Sequence, residues 1–417
     1  MKLSLTTITT GSDPADIVVS SASLKHRAPR VAHRSQHCRL SAVMSIELPT
    51  IVSIFLVTLT FCGCTKAEQE THKATLQVER QLSFPEIHIH PRAITTDKDG
   101  NVVVVGSNVK QAFAMASDRY GTVLWQYPRT PDGRGGSESS FAGAIPLDGG
   151  NYLLCGYKSG PNNPVAWIVI LDPQGSVVEE RTMLPEGGVQ FLKGDFSGCI
   201  KRPSGILLSG LTYQNDRGMF WIVNLDSKGK AIRDLVVRDY VAGDMAVSAD
   251  GSLTLSRFDS GRLQMELVRM TSSGEITAKR EIKGFGSVLF RGVDSAGLVQ
   301  AIVYGVGNQA TLHVLNEQLQ DAKPVGPPLD FDARKSCSFT LPNGGALMFG
   351  RTSNAAAALI GPQGAIIGKL TFDSKFQSFA VDDATAVSAT EFVTVTNSVS
   401  VDPKYQGLVI SWIKLRD

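Results

Sequence analysis

The stretch Ala166-Trp167-Ile168-Val169-Ile170-Leu171-Asp172-Pro173-Gln174-Gly175 joins six apolar residues to a short turn that ends in glycine. β-Branched and aromatic residues in such a run favour a pleated strand. The glycine supplies the positive φ that a tight hairpin connection needs. One unit later Phe220-Trp221-Ile222-Val223-Asn224-Leu225 runs into Asp226-Ser227-Lys228-Gly229. The same turn is read at Asp118-Arg119-Tyr120-Gly121, Thr271-Ser272-Ser273-Gly274 and Gly361-Pro362-Gln363-Gly364.

A second kind of turn alternates with the first. It reads Asp97-Lys98-Asp99-Gly100-Asn101, Leu147-Asp148-Gly149-Gly150-Asn151, Arg202-Pro203-Ser204-Gly205 and Ala249-Asp250-Gly251-Ser252. It continues as Asp294-Ser295-Ala296-Gly297 and Pro342-Asn343-Gly344-Gly345, with a degenerate seventh copy at Ala389-Thr390-Glu391. From 100 to 391 there are six steps, a mean period of about 48 residues. Four strands in each of seven such units predict an all-β, seven-bladed β-propeller with antiparallel blades and no significant helix. The last unit stops after Leu408-Val409-Ile410-Ser411-Trp412-Ile413-Lys414-Leu415, which matches a third strand. The orphan strand over 74–82 is expected to supply its fourth, closing the ring and removing a sticky edge.

In a propeller, first-to-second and third-to-fourth strand turns share one face, and these are the short glycine turns. The other face takes the second-to-third and blade-to-blade connections, which vary in length. The longest are 129–140 (RTPDGRGGSESS), 185–195 (PEGGVQFLKGD), 157–164, 213–218 and 397–406. Binding sits most often on loops held by a rigid scaffold. The expected working face therefore carries Arg129, Asp132, Arg134, Lys158, Asn162, Lys193, Asp195, Tyr213, Asp216, Arg217, Asp244, Lys404 and Tyr405.

Ahead of the repeats, the apolar run 51–61 is too short for a spanning helix, which takes about 20 residues. It has the length of a signal-peptide apolar region. A start at Met44 leaves 20 residues before Cys64. Residues 1–43 then read as a disordered leader or a mis-assigned start, 44–63 as a signal peptide, 64–73 as a polar tether and 74–417 as the propeller. Phe61-Cys62-Gly63-Cys64 resembles the lipobox of bacterial lipoproteins, with the small Gly63 before the cysteine and Phe61 where that family prefers Leu. The resemblance implies acylation of Cys64, palmitate included, and attachment to a membrane. Thr65, in place of the Asp that signals inner-membrane retention in the family, implies the periplasmic side of the outer membrane. Several acyl chains, at about 0.8 kcal/mol per buried methylene, would make that attachment permanent.

Removing residues 1–63 takes away six Lys/Arg and three Asp/Glu, leaving 35 basic and 36 acidic residues. No basic patch for nucleic acid survives in that balance. Beyond the anchor stand Cys155, Cys199 and Cys337, far apart in the chain and set in apolar surroundings. They read as buried free thiols, with one disulfide left open in an oxidising compartment.

For chemistry, Glu86-Ile87-His88-Ile89-His90 alternates so that Glu86, His88 and His90 share a strand face. Imidazoles and a carboxylate so placed are plausible ligands for zinc or copper. Residues 96–101 lack an acid in the first position of a calcium loop and a Glu at its twelfth, and read as a hairpin turn. Asp118-Arg119-Tyr120-Gly121-Thr122-Val123-Leu124-Trp125 resembles the D-x-x-G-x-x-L-W repeat of quinoprotein dehydrogenases and of the lipid-anchored propeller of the barrel assembly machinery. Quinoprotein propellers carry a tryptophan in most blades, whereas the whole chain has four. No cofactor is expected, and no G-x-S-x-G setting marks a hydrolase. These features predict a monomeric protein-binding module, serving envelope assembly or immunity against a secreted toxin. The competing expectation is a metal-dependent lactonase- or esterase-like propeller using the Glu86/His88/His90 set with Asp195 and Asp244.

Overall fold

A computed structural model describes residues 75–416 apart from segments 109–110, 129–137, 160–163, 186–192, 203, 215–216, 238–241, 260–263, 283–287, 294–295, 305–309, 323–324, 326–327, 330–336, 342–344, 350–356, 363–364, 371–380 and 399–406. Every regular element among the described residues is a strand. Strand β1 (Thr75–Phe84) comes first. Blade 1 follows as β2 (His90–Thr96), β3 (Val102–Asn108), β4 (Gln111–Ser117) and β5 (Val123–Tyr127). Blade 2 is β6 (Ser139–Pro146), β7 (Tyr152–Ser159), β8 (Pro164–Leu171) and β9 (Val177–Met183). Blade 3 is β10 (Lys193–Arg202), β11 (Gly205–Gln214), β12 (Arg217–Leu225) and β13 (Ala231–Val237). Blade 4 is β14 (Ala242–Val247), β15 (Leu253–Asp259), β16 (Gln264–Met270) and β17 (Ile276–Ile282). Blade 5 has β18 (Val288–Val293), β19 (Val299–Tyr304) and β20 (Ala310–Leu315), and blade 6 has β21 (Ser338–Thr340), β22 (Ala346–Phe349), β23 (Ala357–Ile360) and β24 (Ile366–Leu370). Blade 7 has β25 (Asp383–Ala386), β26 (Glu391–Ser398) and β27 (Gly407–Arg416).

The sheets pair as the repeat predicts, each an antiparallel meander. Blade 7 is completed by β1, which pairs with β27 from Thr75↔Arg416 to Phe84↔Leu408. The expected closure by the chain's first strand is therefore what the structure has. Gln81 Nε2 donates to Ser411 Oγ across that pair at 3.1 Å, and the Arg80 guanidinium lies 3.7 Å from the Trp412 ring centroid.

Among the described residues the core is divided into seven buried clusters, one between each pair of adjacent blades. Strand alternation makes this division. Tyr152 and Leu154 of β7 pack toward blade 1, while Leu153 and Cys155 pack toward blade 3. Middle strands are thus buried on both faces, which is why Ala166–Leu171 reads as one unbroken apolar run. Phe141 stacks on Trp167 at 4.8 Å and Phe196 on Trp221 at 5.0 Å.

The third-to-fourth strand turns of blades 1 to 3 share one mechanism. The Asp118 carboxylate accepts from the backbone N–H groups of Tyr120 and Thr122, Asp172 from Gln174 and Ser176, and Asp226 from Lys228 and Lys230. This is the Asx device that makes Asp a turn residue. The following glycine is driven to positive φ and presses against the preceding blade. A β-carbon on Gly175 would lie 2.6 Å from the Trp125 ring, and one on Gly274 would lie 2.9 Å from the Leu235 side chain. Arg181 of β9 donates to the Gly229 carbonyl in the same place between blades 2 and 3.

Blade 5 departs from the pattern. Its turn is Asn316-Glu317-Gln318-Leu319-Gln320, with Asn316 accepting from Gln318 and Gln320. Leu319 takes the glycine's place at φ 61° and is fully buried. Two isolated bridges, Leu315↔Asp321 and Ala310↔Leu329, stand where other blades have an outer strand ladder. Side chains reinforce that edge. Asp321 pairs with Arg280 of blade 4 at 2.7 Å and with His313 at 2.6 Å, while Arg280 also donates to the Leu319 carbonyl. Burial works against the Asp321 carboxylate, but the bonds from Arg280 and His313 outweigh it and hold the group below its ordinary range.

Candidate functional site

The two ends of the ring differ in what their strand ends carry. At the end opposite the glycine turns, register brings three expected residues of blade 3 together. Lys193 faces Tyr213, Tyr213 faces Gly218, and Arg217 stands opposite Gln214. Asp195 and Asp244 take places on β10 and β14, the innermost strands of their blades. Lys158 lies at the matching end of β7, where its ammonium pairs with Glu180 at 2.6 Å and sits 5.3 Å from the Trp167 ring. Trp167 Nε1 donates to the same carboxylate at 3.0 Å. Both ions are about a third exposed, so the pair orients Lys158 more than it stabilises the blade. Arg129, Asp132, Arg134, Asn162, Asp216, Lys404, Tyr405 and the Cys64 of the lipobox lie outside the described residues.

Glu86, His88 and His90 sit where β1 hands over to β2, at this same end. Ile87 and Ile89 turn inward to the core between blades 7 and 1, and the three polar residues alternate outward. The expected alternation of buried and exposed residues is present, but β1 ends at Phe84 and β2 begins at His90, so Glu86 and His88 lie in the connection and not on a strand face. Among the described residues, however, no three His, Cys, Asp or Glu side chains are grouped to hold one metal ion.

The glycine-turn end carries a cleft that the sequence reading did not anticipate. Its volume is about 540 Å³, and it lies between the first turns of blades 1 and 2. Asp97, Asp99, Asp148, Tyr152 and Lys201 give it its polar lining. Tyr152 donates to Asp97 Oδ2 at 2.7 Å, joining blade 2 to blade 1. Asp97 also accepts from Asn101 Nδ2 and from the backbone of Asp99 and Asn101. Burial opposes the Asp97 charge, but these bonds prevail and lower its pKa. Burial first, and then the bond to Asp97, push the Tyr152 phenol well up. Asp148 is paired with Lys201 at 3.2 Å. Asp97, Tyr152 and Asp148 are thus already engaged in joining blades, and the cleft is a seam between them.

A third feature lies among the inner strands. Asp383 of β25 accepts from the Ile94 N–H of β2 at 2.8 Å, across the closure of the ring. Burial drives its carboxyl up to about 7, against the hydrogen bonds from Ile94, Ala384 and the Cys337 thiol, with nearby Asp382 adding to the rise. No motif announces Asp383, because its surroundings are set by three blades that meet only in the folded ring.

No protein-family model matches the chain, and no curated protein matches it. Solved structures do. The WD40 domain of Pan2 from Neurospora crassa superposes with a TM-score of 0.50 at 10% identity, over 83% of this chain and 97% of that one. A protein of unknown function from Dyadobacter fermentans matches at 12% identity and TM-score 0.43, over 82% and 99% of the two chains. Another from Bacteroides caccae matches at 13% and 0.41, over 67% and 96%. Likenesses at such identities establish architecture alone. The chain is a seven-bladed β-propeller protein.

Proposed function

We propose that the chain is a lipid-anchored, periplasmic protein-binding module whose working surface is the loop-bearing end of the ring. One observation carries the reading. β1 pairs antiparallel with β27 so that Thr75 lies beside Arg416, at the glycine-turn end. A chain tethered through Cys64 therefore enters the ring from that end, eleven residues before Thr75. Fully extended, those residues reach at most about 40 Å. Entry beside the glycine turns supports a reading in which the variable connections are directed away from the membrane, toward other proteins of the envelope. An assembly partner and a secreted toxin are both consistent with that direction.

Two measurements test this. Palmitate labelling and membrane fractionation of Cys64→Ala, against the parent, read the anchor, and the reading expects loss of both label and membrane association. Crosslinking in intact cells reads the surface. An envelope protein captured by the parent and lost when 131–136 or 187–191 is replaced by Gly-Ser supports the loop-bearing end. Capture unchanged by both replacements contradicts it.

A further inference from the structure

Three thiols lie among the described residues, Cys155, Cys199 and Cys337, each in the reduced form. Two of them meet. Cys155 is in β7 of blade 2, opposite Gly143 of β6, and Cys199 is in β10 of blade 3. They share the buried cluster between those blades, and the two thiols are hydrogen-bonded. Gly143 makes the approach possible. A β-carbon there would stand 2.5 Å from Cys199 Sγ and 3.2 Å from Cys155 Sγ, inside the space the sulfurs now fill. Cys337 is elsewhere, against Asp383 and the core of blades 6 and 7.

We infer that Cys155 and Cys199 are a redox pair that closes into a disulfide between blades 2 and 3. The oxidant is an external disulfide, small or carried by an exchange protein. Cys199, half-buried, is the sulfur that such a reagent reaches, and Cys155 is fully buried. The Cys199 thiolate attacks the external disulfide, and one thiol leaves. Cys155 then gives up its proton and displaces the second thiol from the Cys199 sulfur. Overall, two protein thiols and one disulfide become one protein disulfide and two free thiols, with two electrons passing to the reagent. The Cys155 thiol is raised by its bond to Cys199 and by burial, so the closing step is the slow one. The bond ties β7 to β10 and so couples the blades that carry Lys158, Lys193 and Tyr213.

The test uses the purified full-length protein incubated with oxidised glutathione, followed by non-reducing digestion and mass spectrometry. The expected result is a peptide containing Cys155 joined to one containing Cys199, with Cys337 still a thiol and the link released by a dithiol reductant. Cys155→Ser should stop at a glutathione adduct on Cys199, whereas Cys337→Ser should leave the link intact. Gly143→Ala should cut the yield at least tenfold. If that variant does not fold, the two serine variants decide alone. An unmodified pair, a glutathione adduct on parental Cys199 that never resolves, or a link to Cys337 overturns the inference.

Discussion

The glycine-turn end and the loop-bearing end are built from the same strands, yet they obey different rules. At the first, a turn must fold tightly and press against the preceding blade, so residue identity is dictated by geometry. Asp172 must cap two N–H groups, and Gly175 must fit under the Trp125 ring. At the second, a connection has only to bridge two strand ends, and lengths range from the two residues between Asn108 and Gln111 to the twelve between Leu370 and Asp383. Sequence regularity therefore marks the end that holds the ring together, and irregularity marks the end whose connections are free to vary.

Removing β1 should have the largest effect on this contrast. Deletion of 75–84 strips β27 of its outer partner and exposes an apolar edge, and loss of the cooperative unfolding transition by circular dichroism is expected. A deletion that still melts cooperatively at the parental temperature would mean that the seventh blade does not need its fourth strand.

Next come the glycines. Gly175→Ala drives a β-carbon into Trp125 and should cost roughly 2–4 kcal/mol in denaturant unfolding. Gly100, at φ 79° against 77° for Gly175, has nothing within 4 Å of an added β-carbon, so for Gly100→Ala only left-handed strain of about 1 kcal/mol is expected. Equal costs would erase the distinction between turn strain and blade contact. Leu319→Ala, at a turn where a buried side chain replaces glycine, should cost about 2–4 kcal/mol through the cavity it leaves between blades 4 and 5.

Asp383 gives a pH signature. Its folded pKa of about 7 exceeds the ordinary carboxyl value, so the native state holds the extra proton between about pH 4 and 7. The contribution to stability is fully present below that window and is lost as the pH rises through it. Asp383→Asn should therefore gain on the order of 1–3 kcal/mol over the parent at pH 8 relative to pH 4. A parallel pair of pH profiles would show that the carboxyl is not withdrawn from water. The smallest effect belongs to the loop-bearing end. Replacing 131–136 with Gly-Ser should shift stability by less than about 0.5 kcal/mol while abolishing capture of the partner.

Much of the architecture was legible because its determinants are local. The turn Asp226-Ser227-Lys228-Gly229 carries its capping group and its positive-φ residue within four positions, and the apolar run before it follows from burial on both sides. Blade 5 was harder. Leu319 occupies the glycine's place, and side-chain bonds from Arg280 and His313 to Asp321 stand in for a strand ladder, so no repeated letters marked that turn. The alternation of Glu86, His88 and His90 with the buried Ile87 and Ile89 was readable, but the strand limits were not, and two of the three lie in the connection between β1 and β2. The cleft at Asp97 and Tyr152, the buried Asp383 and the Cys155/Cys199 contact are all made between blades. Each joins residues tens to hundreds of positions apart, which periodicity within one blade does not encode.

Native-state hydrogen exchange tests the account most directly, because the proposed tether's point of entry and the reading built on it both follow from the seating of β1. Amides of 75–84 should exchange as slowly as those of 407–416, with both released only by global unfolding. Complete exchange of 75–84 within seconds, while 407–416 stays protected, would mean that the ring is not shut by its first strand.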